Sequence, residues 1–352
     1  MVLLPVFLFA QKGDSAKQKT PVAVFPALSF SPETSLQFGA AAVWVLENPL
    51  SEGAEFKRQS TISPFFIYTL KNQIITATNF TYFNSRGNLL DGSVRFFNFP
   101  DSYFGIGNDN DPDVFETYTN TFFQAQGSYL KLISMSSFLG VAWDGQYNAI
   151  RKVIDGGMLD MDNLTGTEGG FLLGVGPAYR VDTRNNNIYP TKGNFVTLQA
   201  LFYYLGDYSY SSYLIDARKY VSLWDDKNIL AFQFSSSFTA GNEVPFYKLP
   251  QLGGDSRLRG IANASLYRDR QMTYAQVEYR RPLFWRFGMT AFAGAGDVAG
   301  SIDGFSISEF KYVVGMGGRF AAIPEDKLNL RVDLGVARGG QVGFYVGISE
   351  AF

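Results

Sequence analysis

From Pro21 onward the chain alternates apolar and polar residues with a period of two, in runs parted by Gly, Asn, Asp, Ser and Pro. That period puts successive side chains on opposite faces of an extended chain, so each run reads as a β-strand with two different surfaces. In the cleanest run Leu328, Leu330, Val332, Leu334 and Val336 share one face, opposite Asn329, Arg331, Asp333 and Gly335. Phe171 to Asp182 repeats the pattern, with Leu173, Val175, Tyr179 and Val181 opposite Gly174, Gly176, Arg180 and Asp182. The turn residues delimit sixteen such strands, the first at Val22 to Phe30, the fifth at Asn88 to Phe97, the twelfth at Met272 to Leu283 and the last at Gln341 to Phe352. An even number of antiparallel strands closes a barrel with both termini on one side.

Composition decides what the apolar faces meet. Aromatic residues make up 16% of the chain, with 33 Phe and 20 Tyr, while charged residues make up only 18%. The solvent face of a two-sheet sandwich would carry more charge. No apolar run reaches the roughly 18 residues that a membrane-spanning helix needs. The expected fold is therefore all-β, a sixteen-stranded antiparallel transmembrane β-barrel of the outer-membrane type.

Connection lengths give the orientation. The long ones, Asn98 to Val114, Ile154 to Gly169, Gly241 to Gln271 and Ala299 to Ser308, follow odd strands, and short turns such as Asn84 to Gly87 and Pro324 to Lys327 follow even ones. Barrels of this class keep short turns in the periplasm and long loops outside. The connection Glu47 to Lys57 is longer than that rule predicts. With no linker or long-period repeat, residues 21–352 read as one barrel domain. Residues 1–10 form an apolar run read as a signal-peptide remnant, and residues 11–20 a short polar N-terminal segment.

The chain has no cysteine and no histidine. Their lack removes disulfides, thiol catalysis, the commonest general base and the commonest neutral metal ligand. A net charge of −2 with scattered Lys and Arg leaves no electrostatic footprint for nucleic acid. The expectation is a protein that is not an enzyme and needs neither cofactor nor metal.

The functional signal lies in Leu249 to Leu283, where a long polar loop carrying Gly253, Gly254, Arg257, Arg259 and Gly260 runs into a patterned strand. Loops of that length inside a compact domain are usually functional or disordered. Arginine offers a fixed fork of donors for a carboxylate, and the strand offers Glu278, on the same face as Gln276 and Arg280.

Three separated stretches, DTRNNNIYPTKG (Asp182 to Gly193), LGGDSRLRG, and the closing LNLRVDLGVARGGQVGFYVGISEAF, together resemble the bacterial surface antigen family. This is the barrel of outer-membrane assembly factors and two-partner secretion transporters, and the resemblance extends from Pro21 to the end. It implies an inward-folded sixth external loop whose tip motif is Leu258, Arg259 and Gly260. Arg259 would meet acidic residues on the inner wall, Glu278 first. The family's acid on the thirteenth strand falls on Gly294, so the nearby Asp297 is a weak second candidate that alternation puts on the opposite face. The resemblance makes Asp182, Arg184, Pro190 and Gly193 a periplasmic turn motif. They also suit an ordinary polar turn in which Asp182 pairs with Arg184, Pro190 rigidifies and Gly193 takes a positive φ. Phe352 resembles the C-terminal signal for barrel insertion, and also suits an aromatic at the membrane interface.

Alternation points Gly294, Gly296, Gly315, Gly317, Gly335, Gly343 and Gly347 inward. A wall without side chains makes room for an inserted loop or permits strong curvature. At the closure of the barrel, Pro26 cannot donate a ladder bond, and Gly343 and Gly347 leave the last strand bare. That seam is expected to be a lateral gate or a self-association surface.

What the resemblance implies about function is a bacterial outer-membrane factor for protein assembly, insertion or translocation. Members with such roles carry periplasmic docking domains, whereas the roughly twenty residues before the first strand here are too few for a domain. The alternatives are a passive diffusion pore and a membrane anchor or barrel for a separately encoded partner. Expected partners are outer-membrane lipid, a protein substrate, an accessory periplasmic protein or lipoprotein, and a second copy through the seam.

Overall fold

The computed structural model describes residues 22–31, 35–46, 58–224, 227–325 and 327–352. The N-terminal assignments for residues 1–20 and the long connection at 47–57 lie outside the described residues. Sixteen strands form one antiparallel sheet in chain order. The first eight are β1 (Val22–Ser31), β2 (Ser35–Leu46), β3 (Ser60–Thr69), β4 (Ile74–Phe83), β5 (Leu89–Tyr103), β6 (Glu116–Leu132), β7 (Ser137–Arg151) and β8 (Gly170–Asp182). The others are β9 (Gly193–Gly206), β10 (Tyr210–Leu223), β11 (Asn228–Ala240), β12 (Gln271–Phe284), β13 (Phe287–Ala299), β14 (Lys311–Ile323), β15 (Leu328–Ala337) and β16 (Val342–Ile348). A small ribbon, Gln251–Leu252 with Tyr267–Arg268, forms within the long loop between β11 and β12.

The register fixes which face each side chain takes. Glu278 lies opposite Ala231 and Phe292, and Asp333 opposite Gly317 and Tyr345. These residues share the lumen face, while Val332, Leu334, Phe344 and Val346 are exposed on the outer one. All seven glycines expected to point inward do so.

Two strands differ from their expected bounds. β5 continues past Asn98 to Tyr103, pairing with β6 as far as Glu116, so the loop expected at Asn98 is partly a strand ribbon. β16 ends at Ile348, well before Phe352. Ser349 has φ 67°, a left-handed value that breaks the extended run, and its N–H bonds the Asn329 carbonyl at 2.7 Å.

The barrel ends meet through side chains. Val43 and Val45 of β2 and Leu328 of β15 share one buried cluster, with Ala23, Ile323 and Ile348 packed against it. Leu328 was expected on the lipid face. It is instead buried in this cluster, paired with Ile323 next to a register shift on β14 between Ala321 and Ile323. Among the described residues no ladder bond joins β1 to β16. Pro26 is paired with Ala40 of β2 and its ring is exposed.

The outward face of β14 can be tested directly. Met316 is 67% exposed in the middle of its strand. Met316→Arg is expected to cost about 2 to 4 kcal/mol, the range for a cation on the lipid face near the bilayer midplane. Reversible unfolding in lipid would measure it, with the same substitution at the loop residue Ile302 as a near-neutral control.

Candidate functional site

The loop between β11 and β12 does not stand in external solvent. It folds into the barrel around its own apolar core, in which Leu252, Leu258, Ile261 and Leu266 pack against Met272, Tyr274, Val298 and Val313 of the wall. Its tip is Leu258, whose φ of 41° is uncommon for a side chain larger than glycine. Burial of Leu258 against Gly294 sets that turn, since a Cβ at Gly294 would lie 2.6 Å from the leucine methyl.

The next residue, Arg259, is fully buried. Its guanidinium donates to Asp333 Oδ2 at 2.7 Å through Nη1 and to Glu278 Oε2 through Nη2, with the Phe292 ring 3.8 Å beneath it. Each acid is held from its other side. Arg280 Nε reaches Glu278 Oε1 at 2.7 Å, Arg319 Nη1 reaches Asp333 Oδ1 at 2.6 Å, and Arg331 Nη1 reaches Asp333 Oδ2 at 2.8 Å. Glu350 accepts from Arg319 Nε at 2.7 Å, and the loop's Asp255 accepts from Arg331 Nη2 at 3.0 Å. Four arginines thus interleave with four carboxylates. Such matching is what a buried charge requires, because an isolated ion in a low-dielectric site is costly.

The inward glycines make room for this cluster. A Cβ at Gly335 would overlap the Arg259 carbonyl oxygen, and one at Gly260 would lie 2.9 Å from the Val336 carbonyl carbon. Gly315, Gly317, Gly343 and Gly347 clear space for Phe292, Asp333, Tyr345 and Arg331 in turn. Close approach, rather than curvature alone, accounts for these positions.

Other ties hold the loop across the lumen. Ser256 accepts from Gln276 at 2.9 Å, Ile261 accepts from the Tyr345 hydroxyl at 2.9 Å, and Lys248 reaches Asp144 on β7 at 2.5 Å. Arg257, expected at the functional centre, is exposed and donates to the Gln251 carbonyl.

Two expected site residues are elsewhere. Asp297 does not approach Arg259, because its register position opposite Thr273 belongs to the outward phase of β13. It is buried against the Asn108 amide, 3.2 Å from Nδ2, and Asp333 takes the role assigned to it. Phe352 does not end an alternating strand at the membrane interface. The chain turns inward after Ile348 and buries Phe352 against Tyr220 and Ala231, with its carbonyl oxygen accepting from Arg280 Nη2 at 2.7 Å.

Asp182 and Arg184 form a forked pair at 2.9 and 2.7 Å, Pro190 is buried, and Gly193 takes φ 107°. Burial lowers the Arg184 pKa, but Asp182 more than offsets it and the net direction is up. The turn also reaches across the periplasmic mouth. Asn187 exchanges bonds with the Gln59 backbone at 2.9 and 2.8 Å, and Ile188 packs on the cluster that bridges β2 and β15. Burial, and then the Glu350 carboxylate, push the Tyr189 phenol up to about 12.

A barrel whose inward loop offers an arginine to acids on its inner wall is the geometry the three sequence stretches implied. Residues 67–352 match the Omp85 superfamily domain. The chain belongs to the Omp85 superfamily. Its fold is similar to that of BamA from Haemophilus ducreyi lacking POTRA domains 1-3, with a TM-score of 0.57 and 13% identity over 95% of this chain and 70% of that one. It is likewise similar to CdiB from Acinetobacter baumannii, with a TM-score of 0.57 and 12% identity over 93% of this chain and 58% of that one. No curated protein matched. Members of this superfamily insert or translocate proteins across the outer membrane, and this Omp85 chain is an outer-membrane barrel protein.

Arg259→Ala is expected to destabilise this Omp85 barrel by about 3 kcal/mol, the low end for breaking a buried pair, because Arg280, Arg319 and Arg331 still face the two acids. Arg259→Lys should recover only part, since one ammonium cannot fork to both carboxylates. Gly335→Ala should expel the loop tip without removing a charge. Unfolding in detergent and protease cleavage within residues 241–270 measure all three.

Proposed function

We propose that this Omp85 barrel inserts or translocates proteins by opening between β1 and β16, with the Arg259 loop bracing one side of that opening. The observation that carries the reading is the asymmetry of the loop's ties. Its buried ion pairs run to β12 and β15, with β14 joining through Arg319 and β16 through Tyr345, whereas its ties to the opposite wall are Lys248 to Asp144 on β7 and Ser265 to Asp101 on β5. Beyond β16 lie β1 and β2. On that side the seam is held by apolar contact around Val43, Val45 and Leu328.

A brace on one edge leaves the other free to swing. An open strand edge presents unpaired N–H and C=O groups, which template a strand from another chain. The client is accordingly a protein that supplies an extended segment, and the reaction is strand exchange without catalysis. A passive pore has no use for a loop locked across its lumen by buried ion pairs.

Cysteines paired across the seam, drawn from Ala23, Val43 or Val45 on one side and Leu328 or Ile348 on the other, test the proposal in a chain that has none of its own. Oxidation is expected to stop outer-membrane protein assembly or secretion in cells depleted of the native copy, and reduction to restore it. Full activity of the locked protein would remove the gate. An outer-membrane proteome unchanged by depletion, together with steady conductance after deletion of residues 250–268, would instead make the barrel a pore.

A further inference from the structure

The lipid-facing wall from β9 to β14 is not evenly covered. Ala217 on β10, Ala275 on β12, and Ala293 and Ala295 on β13 point outward and floor a concavity of 810 Å³. The register runs Ala217, Phe234, Ala275, Ala295, Tyr312 from strand to strand. Phe234, with Phe232 below it, therefore stands as a ridge between two alanine-floored troughs, and Tyr312 bounds the far one. Two parallel troughs beside one aromatic ridge match the two acyl chains of a single lipid better than they match the broad face of a second barrel.

Basic residues gather at the periplasmic end of the same wall. Lys219 faces outward beside Asn194, near the end of β10 at Leu223, and Lys192 precedes β9. Both lysines are exposed, and among the described residues neither has a carboxylate within ion-pair distance. Arg281 adds a third exposed cation at the lower end of β12. Long basic side chains at this depth extend to the headgroup level, and clustered cations there attract anionic lipid.

We propose that the outer wall of β9 to β14 is a selective site for an anionic phospholipid of the periplasmic leaflet. Its chains lie in the two troughs, and its phosphate is held by Lys192 and Lys219. The site depends on the outer-membrane location and not on the seam, so it stands or falls separately from the gate.

The absence of native cysteine gives a clean assay. A fluorophore on Leu230→Cys, beside the troughs on β11, is compared with one on Val94→Cys, on the outer face of β5. Each protein is placed in nanodiscs doped with brominated phosphatidylglycerol or brominated phosphatidylcholine, and quenching is read. The preference for phosphatidylglycerol should be about fivefold greater at Leu230→Cys than at Val94→Cys for each lysine that engages the headgroup. Lys192→Gln with Lys219→Gln should erase the difference, and Ala293→Phe, which fills a trough and leaves the charges, should reduce quenching by both lipids at that position. Equal quenching by the two lipids, or a preference that survives loss of both lysines, overturns the proposal. So does a reporter shielded from both lipids whose unlabelled cysteine cross-links to a second copy, since the wall would then be a protein interface.

Discussion

The burial of the Arg259 guanidinium inside the barrel is the constraint on which the rest of the lumen depends. Arginine does not shed its proton, so the only routes to a tolerable energy are paired carboxylates and satisfied donors. Glu278 and Asp333 supply the pairs. Two buried acids around one arginine would then be in excess, Arg280, Arg319 and Arg331 reverse the excess, and Glu350 and Asp255 restore the balance. Eight charged side chains occupy space, and the glycines of β13 to β16 provide it. Nothing in that chain of requirements is local to one strand, so the cluster fixes the relative positions of β12, β14, β15 and the loop together.

The same cluster makes the closure uneven. After Ile348 the chain turns away from the sheet to put Glu350 against Arg319 and Phe352 against Tyr220. Those residues are then lost to the ladder, and β16 spans only Val342–Ile348, where β1 spans Val22–Ser31. The inward C-terminal segment and the thinly held seam are therefore two sides of one arrangement. The turn after β8 partly compensates, because Ile188 fills the cluster where β2 meets β15 and Asn187 ties it to the start of β3. A turn anchored to β8 and β9 by the Asp182–Arg184 pair thus holds the meeting point of barrel ends it does not belong to.

Strand number, order and facing were legible because two-residue alternation is enforced on every strand that separates lipid from a polar lumen. Leu330, Val332 and Leu334 can be assigned from that rule alone. The loop tip was legible as a motif, and Glu278 as an acid on the right face. Asp333 was visible on the polar face of β15, but alternation gives a residue's side of the wall and not its height or its partner across the lumen. Asp297 misled for the complementary reason, being close in sequence to the expected position and on the wrong phase. Phe352 misled because an aromatic closing an alternating run looks like strand. The break is a single left-handed residue, Ser349, whose type does not announce it.

A buried ion cluster is weak evidence for stability in itself, since an apolar packing of equal volume often serves as well. What it supplies is geometry, because charges at these distances tolerate few alternative partners. In a lumen lined with Gln124, Gln126, Gln233 and Gln276, a loop held by neutral hydrogen bonds could exchange one polar partner for the next and slide. Arg259 cannot, because its place is set by two carboxylates, Glu278 and Asp333, that are themselves held by Arg280, Arg319 and Arg331. The loop is therefore held in one register against the last strands, while the seam is held by the apolar contacts of Ala23, Val43 and Val45 with Leu328 and Ile348.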